Sequence, residues 1–205
     1  MATTAYRAAS YGNPLRTVPS RTPGRFHTGD EESPTQYLCL HPLGPLAELM
    51  RNHGLREETQ LREVRVRTWA VRVELDDLAE IGFGDAAGLG IEPDELVADD
   101  HSACRRLGAD LRARVAGVVV PSAALPGTRN VVLFGPRVRS PYLLPPVSAV
   151  DVPASITAEG ARPPGSLVER VRFRGDPNPE LEAWGRSEPF EFEEPVWSVP
   201  ESRRS

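Results

Sequence analysis

The chain has 205 residues, 40% of them apolar, and a formal net charge of -5 at pH 7. That is enough for one domain with a buried core, and it argues against a broad surface for nucleic-acid phosphates, which calls for a positive face. All 24 basic residues are arginines, which reads as a bacterial coding bias before it reads as function and leaves room for a local basic pocket only.

Thr4–Ala9 is expected to form a short strand carrying Arg7, followed by a loop rich in Pro, Gly, Ser and Arg. Phe26 and His27 suggest a second short strand, and an acidic turn over residues 29–34 leads into a strand over Gln36–Leu40 that holds Tyr37. Pro42–Pro45 opens a helix in which Leu46, Leu49, Met50 and His53 share one face, with Glu48 off that stripe near the N-terminus, where the helix dipole favours a carboxylate.

Val64–Leu75 predicts a strand with Trp69, Val71, Val73 and Leu75 on one face; Val64 and Val66 are out of phase, so a bulge near Thr68 or Ala70 is expected. Residues 76–99 look like loop with helical pieces near 77–81 and 93–97. Asp99 or Asp100 then caps a helix running to about Arg114, with Ala103, Cys104, Leu107 and Leu111 inward. Val115–Val120 is almost wholly apolar and reads as a strand buried on both faces, with Ser122 at its end, and Asn130–Phe134 follows as another strand.

After Arg139 the character changes. Eleven of the 21 prolines fall in residues 139–205, and the final stretch mixes acidic and aromatic residues without a period. Only Leu167, Glu169, Val171 and Phe173 alternate as an edge strand would. The expected organisation is a domain over residues 1–138 and a proline-rich extension over 139–205, partly ordered or a tail, its last 25 or so residues dispensable for folding.

Cys39 and Cys104 lie in apolar segments without metal-ligand spacing, so small buried thiols in a reducing compartment are expected. The first residues lack a signal-like apolar core, and no apolar run approaches the ~20 residues that span a bilayer, so a cytoplasmic location is expected. No metal site and no cofactor are expected.

The stretch from Gly24 to Glu48 gathers an arginine, a tyrosine and a glutamate. An arginine holds phosphate by a planar fork of donors, a tyrosine covers a flat ring, and a carboxylate faces developing positive charge. Together with Tyr6-Arg7, Gly24-Arg25-Phe26-His27, Tyr37, Glu48, Pro121-Ser122-Ala123 and the strand that follows, this order of motifs resembles the RES domain family over about residues 4–138. His27 stands where that family usually has asparagine, which replaces a donor-acceptor amide by an imidazole.

The resemblance implies an α+β fold like that of the ADP-ribosyltransferases, a mixed β core with flanking helices. It also implies cleavage of NAD, a substrate and not a bound cofactor, at the nicotinamide-ribose bond by phosphorolysis or hydrolysis. Alternatives are ADP-ribose transfer to a protein, or a non-enzymatic module that binds a nucleotide or a partner. The family includes toxins of bacterial toxin-antitoxin pairs, so a helix-turn-helix antitoxin of the Xre type is an expected partner. Glu48 would face the ribosyl cation, against the reading of a surface glutamate paired with Arg51. Arg25 would hold diphosphate or phosphate, against a solvated arginine. Tyr37 would stack on nicotinamide or bond its ribose, against a core tyrosine, and Ser122 would orient Glu48 or bind phosphate, against a turn serine. Arg7 and His27 are secondary binding candidates.

Overall fold

The computed structural model describes residues 2–8, 19–61, 68–134, 143–148 and 167–194. Seven short segments form one sheet: β1 (Ala2–Ala8), β2 (Thr35–Cys39), β3 (Thr68–Glu74), β4 (Ala79–Glu80), β5 (Gly117–Pro121), β6 (Arg129–Phe134) and β7 (Leu143–Ser148). Their order is β4-β5-β6-β2-β1-β3-β7. β4 and β5 run parallel, and the other neighbours are antiparallel. Helices α1 (Gly44–His53), α2 (Glu58–Leu61), α3 (Ser102–Arg112) and α4 (Pro179–Gly185) complete an α+β fold.

The two-residue period of the strands sorts their side chains between the faces. Val118, Val120, Val132 and Phe134 pack with Leu107 and Leu111 of α3, whereas Val119, Val131 and Leu133 join Ala5, Leu38, Val71 and Val73 on the other face. All five residues of β5 are buried, as a strand covered on both sides requires. Burying Leu107 and Leu111 contributes about 1.5–3 kcal/mol each, which fixes α3 against the sheet. Gly108 brings α3 onto the 24–27 turn: a Cβ there would lie 2.5 Å from the Phe26 carbonyl oxygen.

Pro45 is the second residue of α1, where its missing N–H is one the first turn could not use. Its Leu46, Ala47 and Met50 form a separate cluster with Leu125, Leu167, Val171 and Phe173. Leu49 is half-buried, but His53, expected on the core stripe, is exposed at the last turn.

Several local expectations change. Phe26 and His27 form a turn, closed by the Gly24 N–H on the His27 carbonyl at 3.0 Å, not a strand. Residues 79–80 pair with β5 as a strand instead of lying in a helical piece, while 93–96 is a short 3-10 turn as expected. The Asp100 carboxylate accepts the Ser102 N–H at 3.0 Å beside the start of α3, and Asp99 is used elsewhere. The Val64 and Val66 positions lie outside the described residues, but the pairing of β3 with β7 does shift register between Ala70 and Val71.

The proline-rich part departs most. β7 adds to the sheet at an edge, where Pro145 and Pro146 can sit without breaking a ladder on both sides. Leu167–Phe173 is not a strand: Leu167 and Val171 close a turn by a 3.1 Å N–H to carbonyl bond, and Leu167, Val171 and Phe173 are buried. Asn178 caps α4 by accepting the Leu181 N–H at 3.1 Å. Glu180 of that helix, 6% exposed, holds Arg129 at 2.6 Å and the Gly127 N–H at 2.8 Å. The helix therefore braces the turn between β5 and β6.

Contrary to the expectation of a dispensable end, truncation after Gly175 should lower the thermal midpoint by several degrees, because it takes Glu180 away from Arg129 and removes the buried Ala183. Scanning calorimetry of the truncated and full chains checks this; equal midpoints would show that α4 adds nothing to stability.

Candidate active site

A cavity of about 580 Å³ opens between β1, β2, the 22–26 turn, α1 and the β5–β6 connection, with His101 and Arg174 in its wall. Arg7, Arg25, Tyr37 and Glu48 all line it. Four arginines, Arg7, Arg25, Arg51 and Arg174, face it against one carboxylate, Glu48. The pocket is basic although the chain carries a net charge of -5.

Tyr37 is set by the 24–27 turn. Its hydroxyl accepts the Phe26 N–H at 2.9 Å and lies 2.9 Å from His27 Nδ1, while His27 Nε2 lies 2.8 Å from the Thr22 carbonyl oxygen. A carbonyl only accepts, so Nε2 carries the hydrogen, and in the neutral ring Nδ1 takes the tyrosine hydrogen. Burial pushes the Tyr37 hydroxyl above its ordinary pKa, which keeps that hydrogen in place. The hydroxyl is thus engaged with the turn, and the ring is what remains for the cavity. Gly24 permits the packing: a Cβ would sit 2.6 Å from His27 Nδ1 and 2.9 Å from the Tyr37 hydroxyl, and the imidazole is fixed at both nitrogens. His27 itself is buried behind the tyrosine and does not line the cavity; it positions Tyr37.

Arg25 donates Nη1 hydrogens to the Leu96 and Ala98 carbonyls at 3.2 and 2.9 Å. Those bonds aim the guanidinium without cancelling its charge, since neither acceptor is ionised.

Glu48 is half-buried, and its Oε1 accepts from Asn130 Nδ2 at 3.0 Å. The alternative reading, a pair with Arg51, does not hold: Arg51 is 4% exposed and turns to the Asp99 carboxylate and, at 3.0 Å, to the Arg172 carbonyl. Cys39 also lines the cavity, its thiol held well above its ordinary pKa first by burial and then by the Glu48 charge. A neutral thiol beside Glu48 leaves the carboxylate as the charge there.

Ser122 is not in the cavity wall. It is fully buried; its N–H donates to the Thr128 carbonyl at 3.0 Å and its Oγ accepts the Leu125 N–H at 3.1 Å. Its place is the turn after β5, which sets the register pairing Val120 with Asn130. Orientation of Glu48, expected of Ser122, falls to Asn130. The sequence held one sign of this, a lone amide beginning an otherwise apolar run, Asn130–Phe134.

Arginines crowd the opposite wall. Asp99 accepts from Arg51, from Arg172 at 3.4 Å and from the Gly175 N–H at 2.7 Å. Desolvation opposes its charge, yet these partners bring the carboxyl below its usual pKa. His101 is pushed down to about 4, chiefly by burial and then by Arg25, Arg105, Arg174 and Arg51, so it is neutral at pH 7. Among the described residues no three His, Cys, Asp or Glu side chains converge as a metal site, and no helix is long and apolar enough to cross a membrane.

The sequence model of the RES domain matches residues 3–155. A probable NAD(+) phosphorylase of Mycobacterium tuberculosis is 32% identical over 116 residues, 57% of this chain; the match spans 55% of that relative. A chain of the crystal structure of the M. tuberculosis MbcT-MbcA toxin-antitoxin complex aligns with a TM-score of 0.61 at 23% identity, covering 78% of this chain and 88% of that one. That likeness is one of fold.

The depressed His101 pKa has a consequence for stability. Between about 4 and 6.5 the unfolded chain binds a proton at His101 that the folded chain refuses, so stability falls as pH drops through that window. In His101→Asn this contribution is absent, and the urea midpoint should fall less between about pH 7 and about pH 4.5 than in the wild type. An equal fall in both proteins would remove His101 from the account.

Proposed function

This chain belongs to the RES domain family, and from that premise we propose that it cleaves NAD at the nicotinamide-ribose bond. The observation that carries the reading is Glu48, held by Asn130 in the same basic cavity as Arg25 and Tyr37, while Arg51 beside it on the helix is taken by Asp99. Nicotinamide leaves a cationic ring as a neutral one: the C1′–N bond breaks, its electron pair goes to the ring nitrogen, and an acceptor oxygen bonds to C1′. No acid has to protonate the leaving group. The barrier lies in the oxocarbenium-like ribose, and a fixed carboxylate lowers it by charge. Glu48 takes that role, Arg25 holds phosphate oxygens, Arg7 also lines the cavity, and the Tyr37 ring covers nicotinamide.

Inorganic phosphate is the acceptor we favour, supported by the name of the mycobacterial relative; water is the simpler substitute. The structural neighbour, a chain of a toxin-antitoxin complex, supports an antitoxin partner for this chain; the partner we propose is of the helix-turn-helix Xre type, encoded beside it. Because the proposed substrate and partner are cytoplasmic, that is the compartment we assign.

Mass identification of the products from purified protein, NAD and either phosphate or buffer alone tests the reaction and its acceptor. Glu48→Gln preserves volume but withholds full negative charge, so it should lower turnover by ~10²- to 10³-fold with NAD affinity little changed. Arg25→Ala should weaken NAD binding as well as rate, since the diphosphate is already charged in the ground state. Asn130→Ala should lower turnover by about tenfold, because it releases Glu48 without removing it. The assignment of Glu48 is lost if folded Glu48→Gln consumes NAD within about threefold of the wild type.

A further inference from the structure

Arg174 lies beyond the 3–155 segment matched by the RES domain, yet its side chain reaches the cavity wall. The backbone around it is fixed. Phe173 is 3% exposed, the Phe173 N–H donates to Asp176 at 3.2 Å, the Gly175 N–H donates to Asp99 at 2.7 Å, and Arg172 donates to the Val97 carbonyl at 3.0 Å and the Asp176 carbonyl at 2.9 Å. The neighbouring guanidiniums are used in holding the fold: Arg51 and Arg172 meet Asp99, Arg56 meets Asp176, and Arg170 meets Glu193. Arg174 is exposed and is not bonded to any of the described residues.

We infer that Arg174 and Arg25 form one subsite for a phosphate group, in a cavity that His101 also lines; this rests on the reading of the cavity as a dinucleotide site. Two guanidiniums presented from separate segments match the spread of phosphate oxygens better than one, and each gains by meeting an anion and not another cation. Arg25, Arg174 and His101 all line the one cavity, and after burial the arginine charges also hold the His101 pKa down. A neutral imidazole there adds no further repulsion. The phosphate belongs either to the diphosphate of the dinucleotide or to free inorganic phosphate acting as acceptor.

Binding distinguishes these sources without requiring turnover. Titrations of the full chain and of Arg174→Ala with inorganic phosphate and, separately, with ADP-ribose, followed by calorimetry, should show one ligand weakened by about tenfold or more. Loss confined to phosphate assigns the acceptor; loss confined to ADP-ribose assigns the diphosphate. Arg174→Lys, which keeps charge but not the fork, should fall between, and it carries the test should the alanine variant fail to fold. Affinities within about twofold of wild type for both ligands overturn the subsite, as does a wild type that binds neither. A wild type that leaves NAD intact but binds either ligand through Arg174 would end the NAD reading and keep this one.

Discussion

One carboxylate, Asp99, joins three parts of the chain that are far apart in sequence. It meets the guanidinium of Arg51 from α1, that of Arg172 from the C-terminal segment, and the N–H of Gly175 beside it. Arg51 is 4% exposed, so without that partner α1 would bury an uncompensated cation. Breaking a buried pair costs about 3–5 kcal/mol, and the lower end applies because the Asp99 side chain keeps 34% of its exposure. Even about 3 kcal/mol is a large share of the 5–15 kcal/mol, roughly, that holds a domain folded. The same contact sets Arg174 facing the cavity, so the proposed subsite is a by-product of the tie that keeps the C-terminal segment in place.

The opposite wall is built from neutral bonds. Thr22, His27, Tyr37 and Phe26 pass hydrogens along a short chain that fixes one ring, and Gly24 gives it room. An imidazole in this position does what a donor-acceptor amide could also do: it donates at one end and accepts at the other. A histidine at 27 therefore suffices to hold the tyrosine.

The elements that follow a local period were legible in the sequence: the inward face of α3, the two-faced burial of β5, and Glu48 off the apolar stripe of α1. Arg25, Tyr37 and Glu48 were legible as motif residues, and they line one cavity. The roles of Asp99, Asn130 and Arg174 were not, for a shared physical reason. Asp99 looks like half of a capping pair, and only the arrival of Arg51 and Arg172 from elsewhere shows that Asp100 sits at the helix start while Asp99 binds arginines. Asn130 looks like the start of a strand, and the register set by the Ser122 turn is what aims it at Glu48. The C-terminal segment is ordered by long-range bonds to residues 97, 99, 127 and 129, which leave no pattern along its own length.

The choice of partner for Glu48 bears most directly on the proposed chemistry. Arg51 stands three residues along the same helix and would be the natural ion pair on an exposed surface. Here Asp99 and the Arg172 carbonyl hold that guanidinium, and an amide holds the glutamate instead. The difference is one of charge: a guanidinium bonded to Glu48 would offset much of the negative potential in the cavity, while an amide orients the carboxylate and leaves its charge to act on whatever positive centre develops nearby. Arg25 can then serve the anionic end of a ligand, because the bonds that hold it go to neutral carbonyls. A cavity that presents both arginines and an oriented but uncancelled carboxylate suits a substrate that is anionic at its phosphates and becomes cationic at its ribose.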